Sequence, residues 1–128
     1  MTNLLLDTHV LLWVATRDVR LGERAAAAIR DGRRVVYVSA ASAWEIAIKR
    51  AIGKLDAPRD LAELMERYRF TPLDVTIGHA LETEALPPHH RDPFDRLLVA
   101  QARRERLTLV SADPRLRAYE VRVLPANG

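Results

Sequence analysis

Residues 3–14 read Asn3-Leu4-Leu5-Leu6-Asp7-Thr8-His9-Val10-Leu11-Leu12-Trp13-Val14, and the change of rhythm inside them decides the fold class. Leu4-Leu5-Leu6 is apolar without alternation, the pattern of a strand covered on both faces in a parallel sheet. Val10, Leu11 and Val14 then fall at helical spacing. A strand that hands directly to a helix opens a βαβ unit, and the rest of the chain repeats that alternation. A helix over 24–30 ends at Asp31-Gly32, a strand covers 35–38, and a helix over 42–52 is closed by Gly53. Leu61, Leu64, Met65 and Tyr68 keep helical spacing behind Pro58, whose fixed φ suits a first turn. Residues 70–75 read as a strand despite Pro72, and 76–86 as a helix stopped by Pro87-Pro88. Asp92-Pro93 opens a helix through 106, residues 107–110 form a strand, and 121–123 a last one at the edge. The expected fold is α/β, with a mostly parallel sheet of about five strands flanked by helices.

Bulk composition narrows the class. A chain of 128 residues matches one ordinary domain, expected over 1–128, and 48% hydrophobic against 29% charged is a globular balance. The absence of cysteine removes disulfides and thiolate metal sites. The first residues have no basic stretch, and the opening apolar run meets Asp7 after three leucines, so neither a signal peptide nor a membrane span is expected. A cytoplasmic location follows as the expectation. The net charge is +3, and all but Lys49 and Lys54 of the 20 cationic side chains are arginine, which suits phosphate recognition. Arginines spread over helix surfaces are equally a solvated exterior.

The acids carry the chemistry. In open parallel sheets the ligand site lies beyond the carboxyl ends of the strands, at the point where the winding reverses. Asp7 follows the first strand and Asp113 follows the strand at 107–110. If these two strands are neighbours, their carboxylates converge, and Glu45 and Asp95 face the same crevice from the first turns of their helices. Two unit charges about 4 Å apart repel by roughly 4 kcal/mol at an effective dielectric near 20, so such a pocket calls for a compensating cation. Hard divalent ions with oxygen ligands suit it, and the chemistry they serve is phosphodiester cleavage. Zinc suits it less, with no thiolate and few histidines.

Each acid also has a local explanation. Ser42-Ala43-Trp44-Glu45 matches a capping box, and Glu45 with Lys49 is a favourable helix pair. Asp92 suits an N-cap before Pro93, with Asp95 favoured by the helix dipole. Asp113 before Pro114 suits a turn, and Asp7 suits a cap for the helix at Thr8.

Beyond single residues, four stretches resemble the PIN-domain family, and within it the VapC-type toxins of type II toxin–antitoxin systems. They are residues 3–13, quoted above; Val38-Ser39-Ala40-Ala41-Ser42-Ala43-Trp44-Glu45-Ile46-Ala47-Ile48-Lys49; Asp92-Pro93-Phe94-Asp95-Arg96-Leu97-Leu98-Val99-Ala100-Gln101-Ala102; and Thr108-Leu109-Val110-Ser111-Ala112-Asp113. The resemblance implies a three-layer α/β/α domain and an endoribonuclease dependent on Mg2+, with Mn2+ as substitute. It implies Asp7, Glu45, Asp95 and Asp113 as the catalytic acids. Asp7 and Asp95 would be the primary metal ligands, Asp113 direct or through water, and Glu45 a ligand or a positioner of the attacking water. Asp92 is an extra acid, a helper or a cap, and Thr8 and Ser111 are candidates to hydrogen-bond the site.

The resemblance also implies an antitoxin whose segment covers the acidic pocket, with a cation set on the carboxylates, and a homodimer. Leu12, Trp13, Trp44 and Ile48 are candidates for the groove that takes that segment. RNA contacts would come from Arg91, Arg96, Arg103 and Arg104 around the pocket rim, since 5% aromatic content offers few stacking platforms. Arg96 is alternatively a partner for Asp95. His89 and His90, behind two prolines, are expected in a surface loop. Two rival classes stand beside the nuclease: a phosphatase or receiver-like phosphate-transfer pocket with Asp7 as nucleophile, and a catalytically silent binding module of the same fold.

Overall fold

Every strand pairing in the computed structural model, which describes residues 2–55 and 60–128, is parallel. The strands are β1 (Leu4–Leu6), β2 (Val36–Ser39), β3 (Thr71–Leu73), β4 (Thr108–Ser111) and β5 (Arg122–Pro125), in the order β3-β2-β1-β4-β5. Winding runs outward from β1 in one direction through β2 and β3, then in the other through β4 and β5, so the switch point lies between β1 and β4. Leu4 is level with Val36 on one side and Thr108 on the other, and Leu6 with Val38 and Val110.

The helices are α1 (Thr8–Thr16), α2 (Glu23–Arg30), α3 (Ala40–Ala51), α4 (Leu61–Tyr68), α5 (Ile77–Glu82) and α6 (Pro93–Glu105). They cover both faces of the sheet, and the period of two along β1 divides the core. Leu4 and Leu6 pack with Val10, Leu11, Trp13 and Val14 of α1, Ala25 of α2, Ile46 of α3 and Leu64 of α4. Leu5 packs with Leu98, Val99 and Ala102 of α6, together with Leu116 and Tyr119. All three leucines of β1 are fully buried, which accounts for the unbroken apolar run at the centre of the sheet.

Several boundaries move, each for a local reason. Helix α3 starts at Ala40 because Ser39, the last residue of β2, is itself the cap, its hydroxyl accepting from the Ala41 amide at 3.0 Å. Ser42 is therefore not the cap of a box with Glu45. The chain leaves α3 through Gly53 at φ 70, as its glycine suggests. Helix α4 is capped by Asp60, whose side chain accepts from Glu63 N at 2.9 Å; Pro58 lies outside the described residues. Strand β3 shortens to three residues and tolerates Pro72 because it is an edge strand. The helix expected over 76–86 stops at Glu82 and continues as a 3-10 turn, Thr83–Ala85. A second 3-10 turn, Pro114–Ala118, buries Leu116 beneath the sheet edge.

One polar network crosses the second core. Fully buried Gln101 of α6 accepts from the Ser39 hydroxyl at 2.6 Å and donates to the Asp74 carbonyl at 3.2 Å. Among the described residues no helix is long and apolar enough to cross a membrane.

Candidate active site at the carboxyl edge

The backbone builds the crevice first. Asp7 N donates to Val110 O at 3.1 Å, so the residue leaving β1 is tied to the carboxyl end of β4. Asp7 then turns the chain into α1, its Oδ1 accepting from Val10 N at 2.8 Å. The Ser111 hydroxyl hydrogen-bonds the Asp7 carboxylate and accepts the Asp113 amide at 3.1 Å, which links the two acids through one side chain. Thr8 donates to the Ser42 hydroxyl at 3.0 Å, holding α1 against α3 and so against Glu45.

Asp7, Glu45, Asp95 and Asp113 come together over this crevice. Asp7 is 3% exposed, and burial pushes its carboxyl up, with the nearby Asp113 charge acting in the same direction. Asp95 is pushed up to about 7, first by burial and then by the charges of Asp92, Asp7 and Glu45. Asp113 goes the other way, because the Arg115 guanidinium grips it through Nε at 3.1 Å and Nη2 at 2.9 Å. Glu45 is 4% exposed and lies in the second turn of α3 rather than the first, with Oε2 2.7 Å from Lys49 Nζ. Asp92 caps α6, its Oδ1 accepting from Phe94 N at 2.8 Å and Asp95 N at 3.3 Å. Its charge still reaches Asp95.

His90 belongs to the pocket, contrary to the surface-loop expectation. It is 7% exposed, and Nε2 stands 2.9 Å from Asp113 Oδ2 and 3.2 Å from Asp95 Oδ2. His89, beside it, is exposed and meets Tyr119 edge-on. The only local hint was a histidine two residues before a capping aspartate, since Nδ1 accepts the Asp92 amide at 3.0 Å. Its contacts with Asp95 and Asp113 are tertiary and left no trace in the sequence. Arg115, by contrast, is a local partner, two residues beyond Asp113, in the same Asp-x-Arg pairing as Asp18 with Arg20 and Asp31 with Arg33.

The expected rim arginines divide. Arg91 is exposed and directly precedes the capping Asp92. Arg96 points inward: its guanidinium donates to the carbonyls of Pro87, His90, Thr83 and Leu86 at 2.9–3.3 Å and to the Tyr119 hydroxyl at 3.3 Å. It clamps the loop that carries His90 and pairs with no carboxylate of the pocket. Arg103 and Arg104 sit in the last turn of α6, about 12 Å along the helix from Asp95 at 1.5 Å per residue, and so away from the rim. Arg104 lies 3.7 Å from Glu82. Of the candidate groove residues, Trp13 is core, whereas Trp44 is 63% exposed and meets Phe94 edge-on, and Ile48 is partly exposed beside it on α3.

The donor set tests the metal expectation. One ligand atom each from His90, Asp95 and Asp113 lies within 4.8 Å of the others, a spacing able to hold an ion. Lys49 and Arg115 offset Glu45 and Asp113, whereas the carboxyls of Asp7 and Asp95 are raised chiefly by burial and in addition by the neighbouring acids. An oxygen-rich cluster of this kind fits a hard divalent cation.

The PIN domain family model matches residues 4–121. Ribonuclease VapC22 of Mycobacterium tuberculosis is 34% identical over 126 residues, covering 93% of each chain. Among solved structures, VapBC2 from Rickettsia felis bound to a DNA fragment from its promoter superposes with a TM-score of 0.71 at 11% identity, over 95% of this chain and 97% of that one. DNA-bound VapBC from Salmonella typhimurium gives 0.67 at 19% identity over 98% of both.

Proposed function

The chain belongs to the PIN domain family, and on that premise we propose that it is a divalent-cation-dependent endoribonuclease, the toxin of a type II toxin–antitoxin pair. The observation that carries this reading is the gathering of Asp7, Glu45, Asp95 and Asp113 over the β1–β4 crevice, where ligand atoms of His90, Asp95 and Asp113 lie within 4.8 Å of one another. Similarity to a ribonuclease along almost the whole chain supports the choice of RNA over other phosphodiesters.

Asp7, Asp95 and Asp113 are the residues assigned to hold the ion, Mg2+ or its substitute Mn2+. When bound, that ion supplies the charge that offsets the carboxylates and the Lewis acidity that phosphodiester hydrolysis draws on. Glu45 orients the attacking water and accepts its proton, with Lys49 fixing the carboxylate from one side. Ser111 and Thr8 keep Asp7, Asp113 and α3 in register. Arg91, on the exposed approach to α6, is assigned to the RNA backbone.

An antitoxin segment lying across Trp44 and Ile48 would bring a cationic side chain to the same carboxylates. Homodimerisation would cover Ile77 and Leu81, exposed one turn apart on α5. Activity in the cytoplasm, where the RNA is, belongs to the same reading.

The test is incubation of the purified chain with structured RNAs, and separately with a phosphate monoester, each in Mg2+, Mn2+ or chelator. Scission of RNA that needs the ion and disappears in Asp7→Asn supports the nuclease. Release of phosphate from the monoester with intact RNA would replace it with a phosphatase, and ion binding without any turnover with a binding module.

A further inference from the structure

His90 sits inside the acidic pocket without a part in the chemistry above, and its neighbours leave its ring one arrangement of protons. Nδ1 accepts the Asp92 amide at 3.0 Å, so that nitrogen carries no hydrogen and the ring proton is on Nε2. Nε2 therefore donates to Asp113 Oδ2 at 2.9 Å, with Asp95 Oδ2 3.2 Å from the same nitrogen. The residue is held at its backbone as well. Its amide donates to the Tyr119 hydroxyl at 2.9 Å, and its carbonyl accepts from Arg96 Nη1 at 3.3 Å. A ring held at both nitrogens, on a backbone held at amide and carbonyl, cannot turn to present a different face.

We propose that His90 is a positioning residue, a fixed Nε2–H donor that draws one oxygen of Asp95 and one of Asp113 to a single point, and is not itself a ligand of the ion. The proposal rests on reading the pocket as a divalent-cation site. The spacing of His90, Asp95 and Asp113 would otherwise suggest a mixed nitrogen and oxygen site of the kind zinc favours. The Asp92 amide opposes that. Ligation through Nε2 needs its lone pair, which sends the ring proton to Nδ1 and sets it against the Asp92 N–H. With the imidazole as donor, the ligands left are oxygens, which match Mg2+ and Mn2+. Asp95 comes from α6 and Asp113 from beyond β4, and their charges repel. One N–H fixed between them holds the pair in place before any ion arrives.

Two substitutions separate the donor from the rest of the ring. His90→Gln puts an amide N–H near the Nε2 position, whereas His90→Asn puts a carbonyl near Nδ1, keeping the Asp92 contact and losing the donor. Mn2+ affinity of the full chain, followed by electron paramagnetic resonance, should weaken about 10- to 100-fold in His90→Asn and recover most of that loss in His90→Gln. Nitrogen-15 spectra of the unaltered chain should show Nε2 protonated and Nδ1 bare, both without ion and at saturating Mg2+. Equal Mn2+ affinity in all three chains, equal weakening in both variants, a ring protonated at Nδ1, or an Nε2 that loses its proton when Mg2+ binds would each overturn the proposal. The spectra need no variant, so a substitution that fails to fold leaves the test intact. Neither readout needs RNA: a chain that shows this pattern and cuts no RNA loses the nuclease reading and keeps His90. Failure of the unaltered chain to bind Mn2+ sinks the cation pocket itself.

Discussion

The amide of Asp7 donates to the carbonyl of Val110 at 3.1 Å, and this bond joins the end of β1 to the end of β4 at the one place where the sheet reverses direction. It brings together residues more than a hundred positions apart. Through Ser111 the same seam reaches Asp113, and through Thr8 and Ser42 it reaches the helix of Glu45. The candidate site is therefore a property of the switch point, and its acids are attached to the buried centre of the sheet.

Asp7→Asn should separate activity from stability. The amide oxygen still caps α1 at Val10, while a buried carboxylate is removed. RNA scission in Mg2+ is expected to fall by more than about 100-fold, beyond what loss of a mere supporting contact costs. In chelator the variant should melt higher, by about 3 °C for each kcal/mol recovered. A variant that melts lower and still cuts RNA would contradict both halves.

Acidity should stabilise the ion-free chain through Asp95. Its carboxyl is raised from 3.8 to about 7, so across that interval the folded chain binds more protons than the unfolded one. The contribution is complete below 3.8 and disappears as pH rises through about 7. Melting in chelator should drop by on the order of 5 °C between pH 5 and pH 8. Saturating Mg2+, which favours the ionised carboxyl, should flatten or reverse the slope, and Asp95→Asn should remove its share. A chelated chain that gains stability over the same range would refute this.

Arg96 should behave as a structural clamp. Its fork serves four carbonyls and one hydroxyl, a geometry that lysine cannot reproduce. Arg96→Lys is expected to cost about 2 kcal/mol in urea unfolding and to speed hydrogen exchange at the His90 amide. Exchange unchanged at His90 would show that the loop is held by something else.

Gln101→Leu should destabilise the second core without touching the chemistry. It takes away the acceptor of the Ser39 hydroxyl proton and a donor to the Asp74 carbonyl, an expected cost of about 1–3 kcal/mol. Mn2+ affinity of the folded variant should match that of the unaltered chain. A large change in affinity would mean that this network extends to the acids.

The strand and helix types were legible from local rhythm, because burial on both faces writes an unbroken run such as Leu4-Leu5-Leu6 and burial on one face writes the spacing of Val10, Leu11 and Val14. The four acids were legible for a related reason: each stands at a strand end or near a helix start, positions that punctuation residues such as Pro93 and Pro114 mark. Boundaries moved where two residues of one type competed for a cap, as Ser39 and Ser42 did, since the winner depends on where the strand ends in space.

What the sequence determined alone was thus the alternation, the parallel sheet and the positions of the candidate acids at strand ends and helix starts. Tertiary structure decided which charges are answered and by whom. Arg96 turns into the body of the protein, Arg103 and Arg104 end up at the far end of α6, and His90 arrives beside Asp113. The physical reason is range. A backbone pattern is set by neighbours a turn away, whereas the partner of a buried charge is whichever group packing delivers to within about 3 Å, and no periodicity along the chain encodes that meeting.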